Sequence, residues 1–136
     1  MLLQRIGHIF YCLHILFSLK YLMRLLALIH NCAIFSESKI GKDTIFAYGG
    51  IGVVVHKRCV IGNRYIIGSN VTIGGRSRSK DVPEFGDNCF IATGAKILGA
   101  IKVGNNCVIG ANAVVISNIP DNSVAAGFLL ELLNKI

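Results

Sequence analysis

VHKRCVIGNRYIIGSNVTIGGRSRSKDVPEFGDNCFIATGAKILGAIKVGNNCVIGANAVVISNI, residues 55–119, repeats itself every six residues. Every sixth position from Val55 gives Val55, Ile61, Ile67, Ile73, Ser79, Phe85, Ile91, Ile97, Val103, Ile109 and Val115, and ten of these eleven are apolar. The next position is Gly or Ala seven times, at Gly62, Gly68, Gly74, Gly86, Ala92, Gly104 and Gly110. Four residues after the apolar position the side chain is mostly small or aliphatic: Cys59, Val71, Cys89, Ala95, Ile101, Cys107, Ala113, Ile119. A period of six matches neither the face of a helix, at about 3.6 residues per turn, nor plain strand alternation. It matches short strands joined by tight corners, with the large aliphatic pointing into a narrow interior and the smaller residue filling what is left. One hexad cannot bury its own apolar face, so stacked turns must supply the core.

Other features fall into place around this repeat. Gly and Asn in IGN, IGS and IGA relieve strain at the corners. Cys59, Cys89 and Cys107 occupy the small inward position, which makes them buried hydrophobes rather than ligands or nucleophiles. The repeat breaks at Ser79, inside the polar segment Gly74–Glu84 (GGRSRSKDVPE), which reads as an excursion from the coil. Ile40–Gly41 is out of phase with Val55, so a smaller excursion is expected near Ala47–Gly52. Loops on a rigid scaffold are where binding groups usually sit.

The 136 residues suffice for one domain, and the composition, 53% hydrophobic with 15 Gly and 2 Pro, opposes disorder. The formal net charge is +7. It concentrates in Arg5, Lys20 and Arg24, and again in Arg76, Arg78 and Lys80. Such clusters suit a phosphorylated cofactor or an anionic lipid; no zinc finger or RNA-binding signature points to nucleic acid. Five cysteines without a CxxC pair fit a reducing, cytoplasmic compartment.

Residues 1–31 read as an amphipathic α-helix, with Leu2, Ile6, Ile9, Phe10, Leu13 and Phe17, then Leu22, Leu25, Leu26 and Ile29, at steps of three and four. The uncharged run Ile6–Leu19 is shorter than the roughly 20 residues of a membrane span. No small-residue cleavage site follows it. Packing on its own domain or a neighbouring subunit is the first reading. Peripheral contact with the inner face of a membrane is the second.

IGKDTIFAYGGIGVVVH, VIGNRYIIGSNVTIGG, IATGAKILGAIKVGNNCVIGANAVV and IPDNSVAAG resemble the serine acetyltransferase branch of the hexapeptide-repeat acyltransferases over about residues 32–127. The resemblance implies a mainly β fold, a left-handed parallel β-helix, following the N-terminal α-helix. It implies a homotrimer with active sites between subunits, and acetyl-CoA as co-substrate without a metal. The donor would lie beside Gly74, Gly75 and Arg76, beside Thr93, Gly94, Ala95 and Lys96, and beside Gly110 and Ala111. Glycines and alanines would let its amides approach the backbone. Arg76, Arg78, Lys80 or Lys96 could meet its phosphates.

The sequence departs from the family at the acceptor side. Members use a His before the GIVV-like segment and an Asp one coil earlier; here Tyr48 stands at or next to the first, and Ala33 at the second. A further loop His is replaced by Val82, ahead of Pro83. His56 is the single histidine of the coil domain, and an imidazole is the right chemistry for taking a proton from a hydroxyl. His56 is therefore the candidate catalytic base. Its alternative is a plain corner residue. Tyr48 could orient substrate, but a phenol is a poor base at neutral pH. His8, His14 and His30 lie on the helical segment, as packing or surface residues. After Gly127 the family's usual ending gives way to FLLELLNKI, 128–136, a tail that could pack as a short helix.

The expectation is an acetyl-CoA-dependent O-acetyltransferase acting on a serine-like small molecule or a sugar or polysaccharide hydroxyl. The rival is a trimeric scaffold or CoA-binding module that has lost its acid–base pair. A zinc enzyme of the same coil architecture needs several histidines per site, which one coil histidine does not supply.

Overall fold

The computed structural model describes residues 17–19, 21–22, 25–26, 28–29, 31–76 and 81–127, and the backbone of 131–135. Arg78, Ser79 and Lys80, and the remaining residues named in the N-terminal segment, lie outside the described residues. The chain divides into two compact units, Met1–His30 and Asn31–Ile136. In the first, the described residues are α-helical. Phe17 and Tyr21, one helical turn apart, meet edge to face with ring centroids 4.8 Å apart. Among the described residues no helix is long and apolar enough to cross a membrane.

The second unit is the expected left-handed parallel β-helix, and the hexads become its sides. Face A stacks β1 (Ala33–Ile34), β4 (Val54–Val55), β7 (Thr72–Gly74), β10 (Lys96–Leu98) and β13 (Val114–Val115). Face B stacks β2 (Lys39–Ile40), β5 (Val60–Ile61), β8 (Glu84–Phe85) and β11 (Lys102–Val103). Face C stacks β3 (Ile45–Phe46), β6 (Ile66–Ile67), β9 (Phe90–Ile91), β12 (Val108–Ile109), β14 (Ser123–Ala126) and β15 (Glu131–Lys135). All neighbours pair in parallel except β14 with β15.

Pairing registers show how the excursions are absorbed. Val54 pairs with Thr72, and Lys96 with Val114, one regular coil of three hexads apart. Ala33 pairs with Val54, a coil lengthened by three residues at the 3-10 turn Ala47–Gly50. This lengthening is why Ile40 and Val55 are out of phase. Thr72 pairs with Lys96, a coil longer than the regular one by a whole hexad, so the series resumes in phase at Phe85. Near the end a corner is shortened by two residues. Ile119, read from sequence as the small fourth-step position, instead bridges to Val103, at the large aliphatic position.

The interior is what the repeat demands. Val55, Ile61, Ile67, Ile73, Phe85, Ile91, Ile97, Val103, Ile109 and Val115 are all buried, as are Cys59, Cys89, Ala95, Cys107 and Ala113. Each large aliphatic contributes about 1.5–3 kcal/mol by leaving water. One inward residue breaks the small-residue rule. Tyr65 fills its position with a ring, fully buried, edge to face with Phe85 at 5.9 Å.

Corners carry the backbone load. Asn88, Asn106 and Asn122 have φ of 60°, 54° and 55°. Their side chains form a ladder: Asn88 Nδ2 donates to Asn106 Oδ1 at 2.8 Å, and Asn106 Nδ2 to Asn122 Oδ1 at 2.9 Å. Asparagine tolerates this left-handed conformation because its short amide bonds locally. Beside this ladder, the backbone N–H of Asn63 donates to Asp87 Oδ1 at 2.7 Å and that of Asp87 to Asn105 Oδ1 at 2.8 Å.

The tail corrects the expectation of a short helix. Glu131–Lys135 forms β15, antiparallel to β14. The last parallel strand leaves its outer row of N–H and C=O groups unpaired, and a returning strand satisfies them.

Candidate active site

The outward positions of the three faces differ in chemistry. Face B presents Lys39, Val60, Glu84 and Lys102, mostly charged, with Lys102 and Glu84 3.9 Å apart and well exposed. Face C presents an unbroken apolar row, Ile45, Ile66, Phe90, Val108 and Val124. Face A is mixed, with Ala33, Val54, Thr72, Lys96 and Val114. The candidate residues fall on face A and on the two corners that border it.

His56, Gly74, Gly75 and Arg76 lie at the corner between faces A and B. Val55 pairs with Ile73, which puts His56 directly beside Gly74, and Leu98 pairs with Gly74 on the next coil. A Cβ on Gly74 would stand 3.9 Å from Cβ of His56. No other heavy atom beyond its chain neighbours lies within 4 Å of that position. His56 is half-buried, and its Nδ1 accepts a hydrogen bond from the backbone N–H of Arg58 at 3.2 Å. Arg76 lies across Gly99, where a Cβ would stand 3.5 Å from Cβ and 3.8 Å from Cδ of the arginine.

Tyr48, Thr93, Gly94, Gly110 and Ala111 lie at the opposite edge of face A, on the corner it shares with face C. Tyr48 is 77% exposed and adopts φ 55°, ψ 32°, followed by Gly49 and Gly50 at φ 68° and 75°. Three successive left-handed residues project the phenol outward, and such conformations collect at functional turns. Gly94, at φ 79°, is pressed against the side chain of Asn112. Lys96 reaches along face A to this corner, its Nζ donating to the carbonyl of Asn70 at 2.6 Å. Ala95 points into the core and is fully buried, so its methyl group faces away from any ligand on the surface.

Within one chain, then, Tyr48 and His56 flank face A from its two edges, on different corners. Sequence reasoning passed over two residues. Thr72 lies on face A between Val54 and Lys96 in register. Gly99 turns the corner beside Arg76 at φ 99°. Its one signal was an LGA triplet in which Gly follows Leu98, at a position where the corner glycine is otherwise one residue earlier.

The buried thiols supply no nucleophile. Burial pushes Cys59 up to about 11, outweighing the lowering by a backbone hydrogen bond from His56 and by the charge of Arg58. Burial likewise raises Cys107. A shallow concavity between faces B and C is lined by Arg64, Asn88, Phe90 and Asn106. It lies away from face A, and its asparagine amides already bond one another. Among the described residues no group of three His, Cys, Asp or Glu could hold a metal ion.

Residues 83–117 match the family model described as bacterial transferase hexapeptide (six repeats). The serine acetyltransferase of Staphylococcus aureus strain Mu50 is 46% identical over 92 residues, covering 66% of this chain and 43% of the relative. A serine acetyltransferase solved in complex with CoA superposes with a TM-score of 0.75 at 34% identity, covering 83% of this chain and 46% of that one. Soybean serine acetyltransferase complexed with serine gives 0.67 at 37% identity, covering 71% of this chain and 40% of that one. The chain therefore spans less than half the length of these relatives.

Proposed function

Since the chain belongs to the hexapeptide-repeat acyltransferases, on the serine acetyltransferase branch, we propose that it transfers the acetyl group of acetyl-CoA to the hydroxyl of serine or a serine-like small molecule. One observation carries the proposal: the 46% identity to a serine acetyltransferase spans 92 residues of coil, and family members have been solved with CoA and with serine. In this reading the acyl donor lies against face A. Gly74, Gly75 and Arg76 border it on one side; Thr93, Gly94, Gly110 and Ala111 border it on the other. Lys96 lies between them, and Ala95 contributes only its backbone. The hydroxyl oxygen attacks the thioester carbonyl carbon, the carbon–sulfur bond breaks, and the hydroxyl proton ends on the CoA thiol. The step needs no covalent enzyme intermediate. Tyr48 orients the acceptor, and His56 meets the donor.

Assembly as a homotrimer is part of the proposal. Ile45 is 60% exposed, Ile66 43% and Phe90 42%, all on one face, and a continuous exposed apolar row is characteristic of a covered surface. Closing three copies around an axis would cover it, and would bring Tyr48 of one copy toward a site on the next.

A second reading has its own observation. The Nδ1 lone pair of His56 is engaged by Arg58, so the coil histidine is not arranged as a base. A donor-binding module without turnover would look like this. Following CoA thiol release with serine and with a panel of sugar hydroxyls separates the two. The proposed activity gives thiol release that depends on serine and on enzyme. CoA binding with no release on any acceptor would establish the module instead.

A further inference from the structure

We propose that His56 is a hydrogen-bond donor to a phosphate oxygen of the acyl donor, and not the proton acceptor its residue type suggests. The inference rests on acetyl-CoA as the bound donor. An amide N–H can only donate, and that of Arg58 points at Nδ1 of His56 at 3.2 Å. Nδ1 therefore carries the lone pair, and in the neutral ring the one proton sits on Nε2. The nitrogen free to meet a ligand is a donor. To serve as a base there, the ring would have to move its proton to Nδ1 and set it against the Arg58 N–H.

The surroundings suit an anion. His56 lies directly beside Gly74, which carries no side chain. Lys57 and Arg58 follow on the same turn, both exposed, and Arg76 lies beside Gly99 on the coils above. These three cations outnumber Glu37 and Asp81, the described acids of the same corner. Three cations and a forced N–H donor suit a phosphate ester, because hydrogen bonds from charged or polarised N–H groups to phosphate are the strong ones.

The full chain and its His56→Gln and His56→Ala variants would be titrated calorimetrically with CoA and, separately, with inorganic pyrophosphate, and assayed for thiol release. Glutamine carries an N–H donor to roughly the place of Nε2 and cannot take up a proton. We expect His56→Ala to weaken both ligands about tenfold or more, and His56→Gln to stay within about threefold of the parent. Equal affinity in all three proteins would overturn the inference while leaving the acetyl-transfer reading intact. So would normal binding with thiol release abolished in both variants, the signature of a base. Pyrophosphate binding that depends on His56, without CoA binding, would keep the site and remove the proposed function. Binding of neither ligand by the parent would remove both.

Discussion

Replacing Gly62 by alanine should destabilise the coil by about 3 kcal/mol, a large effect for one methyl group. A Cβ at Gly62 would collide with the carbonyl of Gly86 on the next coil, reaching within 2.6 Å of its carbonyl carbon. The same corner repeats the arrangement. A Cβ on Gly41 would come within 2.5 Å of the Gly62 carbonyl carbon, and one on Gly104 within 2.6 Å of the Asp121 amide nitrogen. These contacts are with backbone, which cannot rotate away as a side chain can. Relief would require these two coils to separate, and with them the hydrogen bond from the Asn88 N–H to the Asn63 carbonyl at 2.8 Å. Denaturant unfolding of Gly62→Ala checks this. A midpoint unchanged from the parent would mean that the coils are not stacked as closely as described.

Ile97→Ala should cost about 2–5 kcal/mol, the sum of lost apolar transfer and the cavity left behind. Ile97 is fully buried and lies in the middle of face A, paired to Ile73 below and Val115 above. A narrow coil has little else to move into the space. Lys102→Ala is the control. Its ion pair with Glu84 is 3.9 Å long and more than two-thirds exposed at both ends, a geometry worth about 0–1 kcal/mol. Equilibrium unfolding of the two variants side by side should separate them clearly. Similar losses would place Ile97 outside the core.

Much of this was legible in the sequence because a six-residue period leaves few ways to bury an aliphatic. The inward aliphatic of each described hexad from Val55 to Val115, and both excursions, could be read without coordinates. What escaped were changes of phase and size. Ile119 changed role because a corner lost two residues, and no residue type announces a deletion. Tyr65 sits where small residues prevail, and its aromatic volume is accommodated only because Phe85 turns its edge to it. The tail became a strand because β14 offers an open edge, a fact of the third dimension.

The candidate site was legible as a set of positions, but not as an arrangement. Glycines at 74, 75, 94 and 110 mark places where a backbone can be approached, and they do cluster on the borders of face A. That Ala95 turns inward follows from its hexad position, though its neighbours Thr93 and Lys96 drew it into the same group. The orientation of His56 is set by a backbone amide two residues away, which side-chain identity does not reveal.

Everything functional depends on face A being the seat of the acyl donor. Amide hydrogen exchange with and without saturating CoA tests it most directly. Slowed exchange at Gly74–Arg76, Thr93–Lys96 and Gly110–Ala111, with face B unchanged, is the expected result. Protection centred instead on Arg64, Asn88 and Asn106, or none anywhere in the coil, would contradict it.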